Sequence, residues 1–579
     1  MSSASKSASV RDDISIVISG AAGQGINTVE LLLTKLLKLC GYNFFATKEY
    51  MSRVRGGSNS TKIRVASHRI SAFVNRIDLL IPLNREALLH LAKRITPETL
   101  IIGEKSKLSD DSDNWQYSML DIPFSKLASE IGNPIFSNII AVGVISGLFG
   151  LSRDIIEAFL QSYFEKKGDE IVAQNVEAVT KGYDIGRKLV DDGAIAIDIE
   201  PDPQVSGDIV LNGAEAVGIG ALAGGCNFIS SYPMSPSTPV LEYLARQSKH
   251  FDIIVEQAED EIAAINMALG AWYAGARAMV TTSGGGFALM IEGLSLAGMI
   301  ESPMIIHLAQ RPGPATGLPT RTEQGDLNLA LYAGHGEFPR IIYAPGSVGD
   351  AVFLTHRAFA MADRYQVPVF ILTDQYFIDS YYNCPAIDLS LLSPETHIVK
   401  TDKTYRRYAL TGSGVSPRGV PGYGDGMVVV DSDEHDEEGH ITEDMDVRTA
   451  MVKKRLGKQN LILADSLPPD RTGPELSENL IMCWGSTYHA VREAVEKTGR
   501  DDIAILHFKQ VYPLHPDTPK FFEGARKTAI VENNATSQFG SLLKLHAVGC
   551  AIDIGAKILK YDGMPFSVEE LVDSINEAF

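Results

Sequence analysis

Four polar loops between Ser230 and Gly317 constrain the fold of this sequence most, because each of them follows a short apolar run. The loops span residues 232–239, 255–261, 281–286 and 309–317. Short apolar runs indicate buried strands, and the loops that leave parallel strands gather at one edge of the sheet. This segment therefore predicts a parallel α/β domain with polar residues at the carboxyl edge of its sheet.

Length and charge narrow the possible classes of protein. The chain has 579 residues, which at roughly 100–200 residues per domain predicts three or four domains. A hydrophobic content of 45% and a charged content of 21% are typical of a soluble globular protein. The net charge of −20 argues against nucleic acid or an anionic membrane surface as a partner.

The five cysteines are widely spaced, and no two of them form a C-x-x-C pair. This argues against a four-thiolate zinc or iron–sulfur site within the chain and predicts a reducing compartment. The N-terminus lacks the apolar core of a signal peptide. The longest apolar run, 139–151, is shorter than the about 20 residues that span a bilayer. We therefore expect a cytoplasmic protein without a membrane partner.

The pattern of elements predicts a multidomain α/β chain. A first α/β domain covers residues 1–190, and an acidic, Pro- and Gly-rich stretch at 191–208 indicates an interdomain linker. Within the first domain, strands are predicted at 14–19, 79–83 and 100–102, and helices at 28–39, 134–149 and 152–189.

Two further α/β regions follow the linker. The second domain covers 209–391, with its clearest buried strands at 305–310 and 368–374, and residues 392–475 are predicted to be irregular, acidic and Gly/Pro-rich. The third domain, 476–579, alternates three apolar strands with helices, one of them near 516–525, which predicts a second parallel sheet.

A glycine-rich loop, residues 20–25, connects the first predicted strand to the first predicted helix. Glycines there allow close approach to an anion at a helix N-terminus. The spacing is G-x-x-G-x-G, which differs from the dinucleotide fingerprint, and Glu49 is weak evidence for a ribose-binding acid. A tight turn without a ligand explains the loop equally well.

Glu261 ends an acidic cluster with Glu256, Glu259 and Asp260 at the start of a predicted helix that continues to Tyr273. Acids in a first helical turn are favoured by the helix dipole by about 0.3–1 kcal/mol each, so the cluster has a purely structural explanation.

Two other polar groups have both a structural and a functional interpretation. Arg311 follows the strand 305–310, where a guanidinium binds a carboxylate bidentately or simply lies at the surface. Ser235 precedes the helical run from Val240, where its hydroxyl binds a ligand or, like those of Ser237 and Thr238, caps the helix.

Three further motifs are weaker. The glycines at 284–286 favour close packing over phosphate binding. The acidic tract 431–446 contains two histidines, but such tracts are usually solvated loops and not metal sites. Gly424-Asp425-Gly426 looks like the start of a magnesium–diphosphate motif, but no pair of asparagines follows at about 25–30 residues.

The order of these regions and two of their motifs resemble the 2-oxoacid:ferredoxin oxidoreductases, most closely the α subunits, with a fused γ domain, of the enzymes that act on 2-oxoglutarate. Residues 232–237 are similar to the family's Y-P-I-T-P-S, with serine at 235, and residues 311–317 to its R-x-G-P-[ST]-T-G, with alanine at 315. The glycine loop, Arg55-Gly56-Gly57 and Asn175 resemble the γ domain, and 531–534 with Gln538 resemble the transketolase C-terminal-like domain. The resemblance implies a γ domain, then a pyrimidine-binding domain of a thiamine-diphosphate enzyme, then the C-terminal domain.

The resemblance also implies roles for individual residues. Glu261 faces N1′ of the aminopyrimidine, where a carboxylate favours the imino tautomer that removes the thiazolium C2 proton. Arg311 holds the carboxylate of the 2-oxoacid, with Thr320 and the Ser235 hydroxyl as further substrate contacts. The γ domain is associated with coenzyme A, which implies contacts from the list Gly23, Gln24, Gly25, Arg55 and Gly56.

A β subunit is implied as well, because this chain lacks both the asparagine pair and the clustered cysteines. By resemblance that subunit holds Mg²⁺ and a 4Fe–4S cluster and shares the thiamine diphosphate with this chain, binding its diphosphate. The two chains form an assembly of two α and two β subunits that passes electrons to ferredoxin. The reaction is oxidative decarboxylation of 2-oxoglutarate to succinyl-CoA and CO₂, or the reverse carboxylation. Alternatives are the same reaction on pyruvate or another 2-oxoacid, a nicotinamide-dependent oxidoreductase using the Gly20 loop, and a non-catalytic assembly subunit.

Overall fold

The computed structural model describes residues 13–21, 25–51, 57–108, 118–547 and 552–579. The chain divides into two compact units. The first unit comprises residues up to Leu211 together with Ser380–Ala386, and the second comprises Asn212–Asp379 and Ile387–Phe579. The predicted multidomain α/β class is confirmed, but the boundaries differ from those at 190 and 208, because 191–208 and the short return 380–386 belong to the first unit.

The first unit contains a mixed sheet of eight strands among the described residues, in the order β6-β5-β4-β1-β3-β2-β14-β7. The strands are β1 (Asp13–Ala21), β2 (Asn43–Glu49), β3 (Ser58–Ala66), β4 (Leu79–Pro82), β5 (Leu100–Gly103), β6 (Ser118–Asp121), β7 (Ile209–Asn212) and β14 (Tyr381–Cys384). The half from β6 to β1 is parallel, whereas β3 pairs antiparallel with both β1 and β2. The carboxyl ends of these parallel strands therefore lie at one edge of the sheet. The chain leaves β1 at that edge, towards the glycine loop.

The helices of the first unit are α1 (Ile26–Leu39), α2 (Arg85–Leu91), α3 (Lys105–Leu108), α4 (Phe124–Ile131), α5 (Phe136–Leu148), α6 (Arg153–Phe164) and α7 (Asp169–Asp191). The single helix predicted at 152–189 is wrong, because a 3₁₀ turn and Gly168, at φ 95°, separate α6 from α7. The predicted linker lies against this unit, with Ile195 and Ile199 buried in its core.

Helices α5 and α7 pack backbone against backbone. A Cβ added at Gly143 or Gly147 would lie 2.2 Å from a carbonyl oxygen of α7, and one at Gly182 or Gly186 would lie 2.1–2.2 Å from a carbonyl oxygen of α5. Glycine at these four positions is what permits the contact. The apolar run at 139–151 is therefore a core helix with a small-residue face.

The second unit contains two sheets. The seven-stranded sheet has the order β18-β12-β13-β11-β10-β8-β9, and the five-stranded sheet has the order β15-β17-β16-β19-β20. The strands are β8 (Phe228–Ser231), β9 (Ile254–Gln257), β10 (Ala278–Thr282), β11 (Met304–Gln310), β12 (Ile341–Tyr343), β13 (Pro368–Asp374), β15 (Asp470–Thr472), β16 (Asn479–Trp484), β17 (Ile503–Phe508), β18 (Gln510–Tyr512), β19 (Lys527–Glu532) and β20 (Ala556–Leu559). Strands β8 to β13 pair parallel with one another, as the sequence predicts, and only β18 at the edge pairs antiparallel, with β12, among the described residues of this sheet.

The helices of the second unit surround these sheets. They are α8 (Gly213–Ala223), α9 (Thr238–Gln247), α10 (Glu261–Tyr273), α11 (Gly284–Phe287), α12 (Ile291–Met299), α13 (Leu327–Tyr332), α14 (Val348–Tyr365), α15 (Gln375–Asp379), α16 (Met445–Ala464), α17 (Thr487–Thr498), α18 (Gln538–His546) and α19 (Val568–Ala578). The helix predicted near 516–525 is wrong, because only a short 3₁₀ turn, Thr518–Phe522, forms there.

The segment predicted to be irregular, 392–475, contains the 20-residue helix α16. Its buried face carries Lys454 and Lys458, each paired with the buried carboxylate of Glu301 at 2.6 and 2.5 Å. Because that face is cationic instead of apolar, hydrophobic periodicity does not reveal the helix.

A second cluster of buried ion pairs connects residues 392–475 to helix α14, which packs on the seven-stranded sheet. Asp363 on α14 accepts hydrogen bonds from Arg277 and from Arg418, both at 2.6 Å, and the carboxylate is fully buried. Both guanidinium groups also lie within 6 Å of the Trp272 ring, the range of a cation–π contact. Residues 392–475 are thus an integral layer of the second unit.

Among the described residues, no single helix is long and apolar enough to cross a membrane. One strongly bent pair, α4 with α5, would be so by length and composition alone.

Candidate active site

The carboxyl ends of β8, β9, β10 and β11 bring together the four loops that the sequence singles out. Ser235 lies in the loop after β8, Glu261 begins α10 after β9, the glycine turn 284–286 follows β10, and Arg311 follows β11. The parallel register of these strands places their ends at one edge.

Glu261 differs from the other acids of its cluster in being buried. Its side chain is 3% exposed, while Glu256, Glu259 and Asp260 are exposed. Asp260 caps α10 by accepting a hydrogen bond from the Ala263 N–H at 2.7 Å. The helix is therefore capped without Glu261, whose Oε1 is buried and accepts no hydrogen bond from the described residues. A buried acceptor without a partner is costly, and it marks a place where a ligand donor fits.

The glycine turn 284–286 lies between two carboxylates. A Cβ at Gly286 would lie 2.6 Å from Glu261 Oε1 and 2.2 Å from Thr282 Oγ1, and a Cβ at Gly284 would lie 2.4 Å from Asp326 Oδ1. The glycines therefore serve close packing, as predicted, and the groups that they accommodate are acidic side chains.

Arg311 reaches back to the loop after β8. Its Nη1 donates a hydrogen bond to the Ser235 carbonyl oxygen at 2.6 Å, and its Nε is buried without a partner among the described residues. Burial lowers the pKa of the Arg311 guanidinium, and the nearby Asp326 opposes this shift. The side chain remains a cation with unused donors at the sheet edge.

The loop after β8 does not use serine hydroxyls to cap α9. Ser237 occupies the N-cap position, but its Oγ donates to the Met234 carbonyl oxygen at 2.7 Å and accepts no cap bond. The structure brings Ser235 to Arg311 through its main chain.

The segment after Arg311 is held by the third region of the chain. Gln324 exchanges main-chain and side-chain hydrogen bonds with Asn533 at 2.7 and 2.9 Å, and Gln538 bonds to Gly325 and Asn328 at 2.7 and 2.9 Å. The half-buried Thr320 lies just before this clamp. The asparagine and glutamine that the sequence assigns to the C-terminal domain thus hold the loop that follows Arg311, a role that the sequence does not predict.

Asp326 is a site residue that the sequence analysis missed. Burial and, to a smaller extent, the carboxylate of Glu323 raise its pKa to about 7, against the opposing effect of the Arg311 cation. It stands at the N-cap position of α13, yet its side chain makes no cap bond. A lone aspartate before a helix carries the signal of an ordinary cap, so the sequence gives no reason to single it out.

In the first unit, Gly23, Gln24, Arg55 and Gly56 lie outside the described residues. Gly25 has φ 77° and begins α1, and a Cβ there would lie 3.0 Å from Asn138 Nδ2. Asn138 also lines a cavity of about 370 Å³ at the ends of β4 and β5, together with Glu104, Lys107, Phe124 and Ile135.

Glu49 is engaged in ion pairs. Its carboxylate lies 3.0 Å from Lys62 Nζ and 3.1 Å from His90 Nε2. These two partners explain why Glu49 is buried, so no bound ribose is needed to explain its position.

The acidic tract 431–446 is part of the fold. His435 is fully buried, packs against Tyr408 with ring centroids 3.8 Å apart, and donates a hydrogen bond from Nδ1 to the Asp433 carbonyl oxygen. Glu434 binds Arg455 bidentately at 2.9–3.0 Å and also pairs with Arg448. In the described part of the chain no three His, Cys, Asp or Glu side chains form a group that would hold a metal ion.

The G-D-G at 424–426 has a structural explanation too. A Cβ at Gly424 would lie 2.1 Å from the Thr401 carbonyl oxygen, and one at Gly426 would lie 2.3 Å from that of Asp402. Both glycines are needed for main-chain packing.

Known families match both units. Residues 15–185 match the family described as pyruvate ferredoxin/flavodoxin oxidoreductase. Residues 219–454 match the one described as pyruvate flavodoxin/ferredoxin oxidoreductase, thiamine diP-bdg. The second match contains Ser235, Glu261 and Arg311.

Similar proteins extend the comparison to the full chain. The chain is 32% identical, over 97% of its length and 96% of the relative's, to 2-oxoacid:ferredoxin oxidoreductase subunit alpha of Sulfolobus sp. It is 44% identical over 29% of its length to 2-oxoglutarate synthase subunit KorA of Archaeoglobus fulgidus, of which the match covers 48%. A solved structure, 2-oxoglutarate:ferredoxin oxidoreductase from Magnetococcus marinus with 2-oxoglutarate, coenzyme A and succinyl-CoA bound, has a TM-score of 0.91 at 30% identity, covering 98% of this chain and 100% of that one.

Proposed function

The chain belongs to the family of 2-oxoacid:ferredoxin oxidoreductase α subunits, and from this membership we propose that its own substrate is 2-oxoglutarate. The proposed reaction converts 2-oxoglutarate and coenzyme A to succinyl-CoA, CO₂ and a proton, with two electrons passed singly to ferredoxin. A strong reductant drives the reverse carboxylation. The similarity to a 2-oxoglutarate enzyme over the full chain and to a KorA subunit over part of it supports this substrate.

The observation that carries the proposal is the buried Oε1 of Glu261, which has no partner among the described residues. A ring N–H of an aminopyrimidine is the donor that such an oxygen requires, so the site fits thiamine diphosphate. Bound there, the cofactor supplies the carbon nucleophile and the electron sink for decarboxylation. Glu261 binds the ring nitrogen, orients the pyrimidine, and holds or releases the proton at that nitrogen.

Arg311 supplies the cation for the 2-oxoacid carboxylate. The bond from its Nη1 to the Ser235 carbonyl oxygen fixes the guanidinium, and the buried Nε remains as a donor. The Ser235 hydroxyl and Thr320, on the neighbouring loops, are the proposed further contacts. A guanidinium fixed in this way binds a carboxylate with specific geometry.

We assign coenzyme A to the first unit. The cavity beside Gly25 supports this, because Lys107 and Asn138 give it polar lining next to apolar side chains. Gly23, Gln24, Arg55 and Gly56 complete the proposed set.

A β subunit is the proposed partner at the carboxyl edge, supplying Mg²⁺, the diphosphate ligands and a 4Fe–4S cluster in an assembly of two α and two β subunits. Apolar side chains next to Glu261 support a covering partner. Ile262 on α10, the residue after Glu261, and Leu289 after the glycine turn are 51% and 52% exposed.

The test is reduction of a viologen dye that depends on both a 2-oxoacid and coenzyme A. It is run with this chain alone and with the chain co-purified with its β subunit. Activity only in the pair, highest with 2-oxoglutarate, is the expected result.

Two other outcomes change the proposal in different ways. A preference for pyruvate retains the reaction and replaces the substrate. Absence of activity with any 2-oxoacid, in a complex shown to contain cofactor and cluster, contradicts the proposed function.

A further inference from the structure

Asp326 lies at the same edge as Glu261 and Arg311 but has no assigned role. Its two carboxylate oxygens are 2.4 and 2.5 Å from the position of a Cβ on Gly284, so the group lies directly against the glycine turn. Its main-chain N–H donates to Gln310 Oε1 at 3.0 Å, and Gln310 in turn donates to the Thr373 carbonyl oxygen at 3.1 Å. The backbone of Asp326 is therefore fixed relative to β11 and β13.

The carboxylate itself is not satisfied. Its Oδ2 is buried and accepts no hydrogen bond from any residue that the structure describes. The neighbouring helix gains no cap from it. An ionised carboxylate without donors is strongly disfavoured in such a place, whereas a neutral carboxylic acid is tolerated.

Two charged groups act on Asp326. Glu323, on the same loop, disfavours its ionisation, and Arg311, at the end of β11, favours it. The turn 284–286, on the other side, carries no charge. No ion pair joins Asp326 to Arg311 among the described residues, and Nη1 of the guanidinium donates to the Ser235 carbonyl oxygen. Arg311 and Asp326 therefore influence each other through space, and an ionised Asp326 places a negative charge near the Arg311 cation.

We propose that Asp326 is a protonated positioning residue of the substrate site, which must be neutral for Arg311 to bind the carboxylate of a 2-oxoacid. An ionised Asp326 competes with the substrate carboxylate for the Arg311 cation and repels that carboxylate. A neutral Asp326 leaves the Arg311 guanidinium available to the 2-oxoacid and offers its own O–H as a hydrogen-bond donor. This inference rests on the proposed function, because the competing ligand is the carboxylate of that substrate.

Substrate binding is therefore coupled to protonation. Burial and Glu323 hold the pKa of Asp326 near 7, so binding takes up a proton when the pH is above this value. Below it the proton is already present. Affinity for a 2-oxoacid then falls by up to about tenfold per pH unit above pH 7.

The experiment uses the complex with its β subunit and N-oxalylglycine, a 2-oxoglutarate isostere that does not decarboxylate. Calorimetric titration at pH 6, 7 and 8.5, in buffers of different ionisation enthalpy, gives Kd and the number of protons taken up. We expect proton uptake to rise from near zero at pH 6 towards one at pH 8.5.

The variants separate a titrating group from a merely structural one. Asp326→Asn preserves the shape and does not ionise, so its Kd is independent of pH and proton uptake is lost. Glu323→Gln removes a charge that raises the pKa of Asp326, so both the proton uptake and the loss of affinity begin at lower pH than in the wild type. Asp517→Asn, at an exposed site in the C-terminal region, leaves the wild-type profile unchanged.

Each contrary result has its own meaning. If wild-type complex turns over 2-oxoglutarate but binds N-oxalylglycine without proton uptake at pH 8.5, the role of Asp326 is refuted and the proposed function stands. Uptake that persists in Asp326→Asn refutes it equally. If the complex neither turns over nor binds any 2-oxoacid, the proposed function fails and this inference with it.

Discussion

The proposed role of Glu261 depends on its buried Oε1, which accepts no hydrogen bond from the residues that the structure describes. Glu261→Gln keeps the size of the side chain but cannot exchange a proton. We expect kcat of the complex to fall by roughly two to four orders of magnitude while the melting temperature is unchanged. Viologen reduction and thermal melts of the same preparation measure both. Glu259→Gln, an exposed neighbour in the same acidic cluster, is the matched control, and near-normal turnover in Glu261→Gln would refute the assigned role.

For Arg311, also a single residue, the proposed role is binding of the substrate carboxylate. Arg311→Ala removes the charge-assisted bonds to a carboxylate, worth about 1.5–3 kcal/mol each. We expect kcat/KM for the 2-oxoacid to fall by roughly 10–100-fold or more, mainly through KM. Steady-state kinetics with several 2-oxoacids measure this, with the exposed Arg526→Ala as control. An unchanged kcat/KM would remove Arg311 from the substrate site.

Asp326 also makes stability depend on pH. Its pKa in the folded chain, about 7, is above the ordinary value of 3.8. Its contribution to stability is therefore fully present below pH 3.8, is lost as the pH rises to 7, and stays lost above. We expect Asp326→Asn to gain stability relative to wild type across this range, by up to roughly 4 kcal/mol, with a plateau above pH 7. Denaturant melts at several pH values show the trend, and a difference that does not vary with pH would contradict it.

These three residues show what a sequence reveals at this scale. Glu261 and Arg311 stand in motifs whose resemblance to a family points to them. Asp326 stands in none, because its unusual state arises from burial against the glycine turn 284–286, which lies earlier in the chain. Such a state is a property of the packed structure only.

At the scale of elements, the glycine turn 284–286 offers a matched test within three residues. Gly286→Ala places a methyl group 2.6 Å from Glu261 Oε1 and 2.2 Å from Thr282 Oγ1, whereas at Gly285 the nearest atom is 3.5 Å away. We expect Gly286→Ala to lose most activity and about 1–3 kcal/mol of stability, and Gly285→Ala to resemble wild type. Activity and melting temperature of the two variants decide the matter. Equal effects would mean that the turn is not held by its contact with Glu261.

Elements with ordinary apolar periodicity could be predicted from the sequence, and those stabilised differently could not. Strands β11 and β13 are fully buried apolar runs and appear where expected. Helix α16 was missed because it buries lysines against Glu301, and the break before α7 was missed because one glycine interrupts a continuous helical pattern. The spacing of apolar residues indicates which positions are buried among other apolar side chains. Neither the buried lysines of α16 nor the break before α7 changes that spacing.

At the scale of the whole molecule, buried ion pairs join the 392–475 segment to the rest of the second unit. Removing Asp363 leaves two buried guanidinium groups, those of Arg277 and Arg418, without their carboxylate. We expect Asp363→Ala to cost about 3–5 kcal/mol and to make the segment susceptible to protease. Melting temperature and limited proteolysis measure this. Asp502→Ala, which removes an exposed pair with Arg500, is the control, and equal behaviour of the two variants would show that Asp363 does not anchor the segment.

The clamp formed by Gln324, Asn533 and Gln538 has a consequence for engineering. The loop that carries Thr320 and Asp326 takes its shape from bonds to residues more than 200 positions later in the chain. If the loop contacts the substrate as proposed, we expect its selectivity for one 2-oxoacid over another to depend on both segments together. A chimaera with a relative should therefore exchange residues 318–328 and 532–540 together, because the hydrogen bonds between the two segments hold the loop in its conformation.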